Sequence, residues 1–111
     1  MKLKIHTLIV IGALAFSAGA AKAADAAENY TKYCVTCHAK DGSGSTTMGK
    51  KNGAKDYRDP KVQESFTDEK ATASIKDGVT EDGKTKMKSF KDKLTDDEIK
   101  DLIAYVRKFK P

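Results

Sequence analysis

The sequence predicts an all-α domain of about three to five helices, on three observations. No stretch alternates apolar and polar residues for long enough to form a strand of ordinary length. The C-terminal segment carries a strong helical period with its own start signal. The chain also holds too few large aliphatic side chains to fill a core, so its helices have to pack around something else.

The 111 residues divide in two. Residues 1–23 have the makeup of an export signal: Lys2 and Lys4 lead, an apolar run follows from Leu8 to Phe16, and Ala21-Lys22-Ala23 is a small-x-small cleavage site. Cleavage after Ala23 is expected, leaving residues 24–111 as a single domain. The uncharged stretch from Thr7 to Ala21 is 15 residues, short of the roughly 20 that a spanning helix needs. No cysteine follows the site to accept a lipid. The mature protein is therefore expected in the periplasm, without stable membrane insertion. Losing Lys2, Lys4 and Lys22 lowers the formal net charge from +5 to +2, which argues against a nucleic-acid partner. Of the 88 residues that remain, 12 are Leu, Ile, Val or Phe, a fraction that ordinarily goes with disorder. Small exported domains overcome this with disulfides, a metal or a large cofactor. The two cysteines lie three apart, and a bridge closing so short a loop would stabilise little.

A first helix is expected from about Asp25 to Val35, with Ala27, Tyr30 and Cys34 on one side and Tyr33 adjacent. Gly42, Gly44, Gly49 and Gly53 make residues 41–54 read as a loop. Asp59-Pro60 opens a short helical turn, and Thr67 caps a further helix running to about Asp77, stopped by Gly78. Five lysines from Lys84 to Lys93 mark a second irregular stretch. The closing helix is the clearest. Thr95 and Glu98 make a capping box, and Leu94 and Ile99 occupy the positions of a hydrophobic staple. Asp96 and Asp97 in the first turn, with Arg107, Lys108 and Lys110 at the far end, suit the helix dipole. Ile99, Leu102, Ile103 and Val106 recur at helical spacing, widened by Tyr105 and Phe109, and Tyr30 is a natural partner for that face.

Cys34-Val35-Thr36-Cys37-His38 has the C-x-x-C-H pattern of covalent haem attachment. Two thiols on one side of a helical turn can add to the two vinyl groups of one porphyrin, and the next residue then offers its imidazole to the iron. Five residues thereby set the ring, its orientation and one axial ligand, His38. One haem c per chain would also supply the missing core. Other uses of a Cys pair fit less well. A thioredoxin-like pair follows a buried strand, and none precedes Cys34. Structural zinc needs four ligands, whereas the mature chain offers Cys34, Cys37 and His38, since His6 leaves with the signal. An inert pair leaves both the adjacent His and the starved core unexplained. For the sixth iron position no second His remains, so the soft thioether of Met is the candidate. Met87, 49 residues after His38, is far enough along the chain to reach the opposite porphyrin face. Met48, ten residues after His38 on the Gly-rich stretch, is the less favoured choice, and either Met could instead fill a gap in the core.

These residues resemble a small monohaem class I c-type cytochrome of the exported bacterial type, over essentially the whole mature chain. The resemblance implies the cytochrome c fold, in which the first and last helices cross at the haem and an aromatic residue four before the first Cys packs on the last helix. Tyr30 and Tyr105 stand at those positions, and Leu102-Ile103-Ala104-Tyr105-Val106-Arg107 is similar to the closing helix of the family. Two departures are visible. Lys88 follows Met87 where members often carry Pro, and residues 39–59 contain no Pro, where one often supplies a carbonyl to the proximal His. With His38 and Met87 both on iron no coordination position stays open, so the role implied is a periplasmic one-electron carrier and not an enzyme. Its reduction potential is expected above that of a bis-His haem. Two alternatives stand beside it: the electron-accepting haem subunit of a periplasmic dehydrogenase, and a ligand-binding sensor or peroxidase-like protein if Met87 does not bind iron. Lys84, Lys86, Lys88, Lys91 and Lys93 against Asp92 give a local charge of +4. That patch is expected to steer an acidic redox partner to a monomeric protein, the alternative being a solvated lysine-rich loop.

Overall fold

The computed structural model describes Gly12 and residues 25–111, and the expected signal, residues 1–23, otherwise lies outside the described residues. Along the chain run α1 (Ala26–Tyr33), α2 (Val35–His38), α3 (Thr47–Asn52), α4 (Pro60–Glu64), α5 (Asp68–Asp77), β1 (Val79–Glu81), β2 (Lys84–Met87) and α6 (Asp96–Val106). All the helices but α2 start at a side chain that accepts one of their unpaired N–H groups: Asp25, Thr46, Asp59, Thr67 and Thr95. The exception, α2, resumes directly after α1 ends at Cys34.

Helix α6 packs across α1 and α5. Its capping box is complete, with Thr95 Oγ1 accepting from Glu98 N–H and Glu98 Oε1 accepting from Thr95 N–H, both at 3.1 Å. The other carboxylate oxygen of Glu98 accepts from the Asn29 amide at 2.9 Å, tying the start of α6 to α1. Both staple residues are buried, and with Tyr30, Phe90, Leu102 and Ile103 they form the core cluster. Tyr30 lies with its ring centroid 5.0 Å from that of Tyr105 and 5.3 Å from that of Phe109. Full burial of Ile99 or Leu102 is worth roughly 1.5–3 kcal/mol each. Six such residues make a small core, as the count of aliphatic residues implies.

Two segments differ from the sequence-based expectation, and among the described residues six helical segments stand where about three to five were expected. Residues 47–52, read as loop from their glycines, form α3. Gly49 is there for closeness: a β-carbon on it would strike the carbonyl oxygens of Cys37 and Gly44. Thr46 secures the same approach by donating to the Thr36 carbonyl at 2.6 Å, shared with that of Cys37 at 3.2 Å. The lysine-rich stretch is also less irregular than expected, because Lys84 to Met87 pair antiparallel with Val79 to Glu81. Asp82 and Gly83, at φ 51° and 73°, make the two-residue turn. Two successive positive φ angles match the twist of a hairpin, and Asp-Gly is the pair that favours them.

Candidate functional site

The motif residues lie where α1 gives way to α2. Cys34 closes α1 by donating its N–H to the Tyr30 carbonyl at 2.9 Å, and its own carbonyl then accepts from His38 N–H at 2.8 Å. One helical turn thus separates Cys34 from both Cys37 and His38. Both cysteines are free thiols and half-buried. Burial, reinforced by Cys37 nearby, pushes the Cys34 thiol up to about 11, so it is protonated at neutral pH. Burial also lowers the pKa of His38, which favours the neutral imidazole. That is the form able to bind a metal. His38 Nδ1 is buried with no hydrogen-bond partner among the described residues.

Met87 ends β2, half-buried, and packs against the core cluster together with Cys34 and Tyr33. Met48 is 43% exposed on α3, the helix that packs on α2. The structure therefore brings Met87 and the first motif cysteine to one cluster and leaves Met48 at the surface. Of the five lysines, Lys84 is exposed and Lys86 half-buried on β2, where the register breaks between the Thr80–Thr85 and Val79–Met87 pairs. Lys88, Lys91 and Lys93 are exposed on the segment that follows, with the Lys88 ammonium 5.6 Å from the Phe90 ring centre.

Tyr57 was not anticipated. Its ring stacks on the His38 imidazole, centroids 5.2 Å apart and planes at 28°. Its phenol is pushed above the ordinary tyrosine pKa by burial and then by Cys34. Phe66 meets Tyr57 edge-on at 5.8 Å. Gln63 holds the segment by donating to the carbonyls of Tyr57, at 2.7 Å, and Val106, at 2.9 Å. A lone aromatic in a polar stretch has no periodic neighbour to mark its role, so only the fold reveals it.

The fold and this turn of chemistry define a c-type haem domain. The sequence family described as "Cytochrome C oxidase, cbb3-type, subunit III" matches residues 21–106. Cytochrome c2 of Rhodospirillum rubrum is 35% identical over 126 aligned positions, covering 91% of this chain and 93% of the relative. Among solved structures, the KustC0563 c-type cytochrome is 37% identical with a TM-score of 0.70, covering 78% of this chain and 99% of that one. A point mutant of Kustc0563 is 36% identical with a TM-score of 0.67 and the same coverage. The chain belongs to this family and is a small class I c-type cytochrome with the cytochrome c fold.

The residues present fit the prosthetic group that the family implies. Two unoxidised thiols stand one turn apart, and a half-buried imidazole follows them, its neutral form favoured and its buried Nδ1 without a partner among the described residues. No cluster of three His, Cys, Asp or Glu side chains gathers as a metal site among the described residues.

Proposed function

We propose that this cytochrome is a periplasmic one-electron carrier whose single haem c is bound through Cys34 and Cys37 and ligated by His38 and Met87. The observation that carries the ligand assignment is the contrast between the two methionines: Met87, half-buried, packs against the same core cluster as Cys34, and Met48 is exposed. A covalently held haem supplies one reversible one-electron couple, at a potential raised by a neutral thioether ligand. The chain's residues do the rest. Cys34 and Cys37 anchor the ring to one helical turn, His38 presents a neutral nitrogen, and two aromatic groups, Tyr30 with Tyr105 and Phe109 and Tyr57 with Phe66, supply apolar surface that the aliphatic residues cannot. Full ligation leaves no place for a substrate on the metal, which favours a carrier over an enzyme or sensor.

Localisation follows from the export signal read in residues 1–23, and among the described residues no helix is long and apolar enough to cross a membrane. The lysines at 84, 86, 88, 91 and 93 are the proposed docking patch for an acidic redox partner. The matching family is named for an oxidase subunit, which supports a second reading, a haem subunit that accepts electrons within an enzyme complex. Co-purification with a larger enzyme separates that from a diffusing monomer.

Met87→Ala and Met48→Ala test the ligand assignment. The oxidised wild-type protein is expected to show the weak long-wavelength band of sulfur-bound ferric iron, and Met87→Ala to lose it while the reduced form gains rapid carbon monoxide binding. Met48→Ala is expected to change neither. Loss of the band in Met48→Ala, or its survival in Met87→Ala, overturns the assignment.

A further inference from the structure

Ala39 is the residue at which the chain leaves the C-x-x-C-H turn, and it does so with φ 64° and ψ 160°. A residue with a β-carbon enters that region only under strain, and glycine ordinarily occupies it. Here the position holds alanine, buried at 8% exposure. Strained backbone persists where its surroundings over-determine it, and at Ala39 those surroundings are explicit. Its N–H donates to the Val35 carbonyl at 3.0 Å, and its carbonyl accepts from Gly42 N–H at 3.2 Å. The same carbonyl accepts from the Tyr30 hydroxyl at 2.6 Å, a buried bond that reaches across from α1. The Tyr30 ring is itself wedged against Tyr105 and Phe109, so this donor is anchored to the end of the chain.

We propose that the Tyr30 hydroxyl is a positioning group for the proximal imidazole: by holding the Ala39 carbonyl it keeps Ala39 in its positive-φ conformation and so fixes how His38 presents its ring. The inference rests on the reading of His38 as an iron ligand. With Nδ1 lacking a partner among the described residues, no side-chain hydrogen bond at that atom steers the ring. Its direction is left to the stacked Tyr57 and to the backbone on either side. On one side that backbone is α2; on the other it is Ala39. Tyr30 thus does more than pack against the last helix. Its ring serves the core and its hydroxyl serves the site.

The test uses holoprotein of the wild type, Tyr30→Phe, Ala39→Gly and the double variant. Haem content is read by pyridine haemochrome, and His38 orientation by the hyperfine-shifted ring-proton resonances of the ferric protein together with the reduction potential. Tyr30→Phe keeps the ring contacts and is expected to retain one haem per chain while its His38 resonances and potential shift. Glycine takes positive φ without strain, so Tyr30→Phe/Ala39→Gly is expected to return both to the wild-type values. Ala39→Gly alone, which folds whether or not the hydroxyl is needed, is expected to raise the unfolding midpoint by about 2–5 °C as strain is lost. Unchanged resonances in Tyr30→Phe, a shift that Ala39→Gly does not reverse, or a lowered midpoint in Ala39→Gly each overturn the proposal and leave the haem reading intact. Wild-type protein without haem overturns both.

Discussion

Arg107 closes α6 by gathering the end of α4 and the segment after it onto α6. Its guanidinium donates to the Gln63 carbonyl at 2.5 Å, the Phe66 carbonyl at 2.8 Å and the Asp68 carboxylate at about 3 Å, and its carbon centre lies 4.1 Å from the middle of the Phe66 ring. Phe66 in turn touches Tyr57, and Tyr57 touches His38. A planar fork with several donors suits this arrangement, and an ammonium does not. Arg107→Ala is expected to cost about 2–3 kcal/mol, since half-buried carbonyls lose a charged donor, and Arg107→Lys to recover less than half of it; thermal unfolding of the holoprotein checks both. A variant within ~0.5 kcal/mol of wild type would show that the clasp is ornamental. Much of this scale was legible in the sequence. Cys34, Cys37 and His38 stand out as candidates because their spacing is itself the chemistry, and Tyr30, which does pack on the last helix, because it sits at helical spacing from the motif. Tyr57, Gln63 and Arg107 were not read as a unit, because their contacts join residues some forty positions apart and leave no local period.

At the scale of elements, start signals proved more informative than breakers. Thr67, Thr95 and Asp59-Pro60 each open a helix where the sequence predicts one, because a side-chain acceptor for an orphan N–H is a local requirement. Glycine was ambiguous, since it serves both turns and close packing. In residues 41–54 Gly42 and Gly53 have positive φ, whereas Gly49 lies inside α3 to admit the backbone of the motif turn. The hairpin escaped because β1 and β2 are only 3 and 4 residues long, too short for an alternation to register. Its Asp82-Gly83 pair was the available signal. That turn sets where β2 ends and hence where Met87 lies. Gly83→Val, a β-branched residue at φ 73°, is expected to destabilise the protein by about 1–2 kcal/mol and to weaken the long-wavelength sulfur band. Loss of stability with the band untouched would separate the hairpin from the ligand.

Across the whole molecule, the shortage of aliphatic residues and the sparse core cluster are one fact seen twice: the polypeptide folds around something it does not itself provide. Charge is distributed with similar economy, since the net +2 of residues 24–111 includes a local +4 over residues 84–93. Reversing Lys84, Lys91 and Lys93 to Glu is expected to slow oxidation of the reduced protein by anionic hexacyanoferrate(III) several-fold at low ionic strength, with the difference fading near 0.5 M salt as the Debye length contracts to about 4 Å. Equal rates at low salt would remove these lysines from the electron-transfer surface. The claim beneath all of this is covalent attachment at Cys34 and Cys37, and intact mass under denaturing conditions tests it most directly, because a thioether-bound group survives unfolding. Protein secreted by a host able to attach haem should show the mass of the chain beginning at Ala24 plus one haem; the bare polypeptide mass would contradict the account.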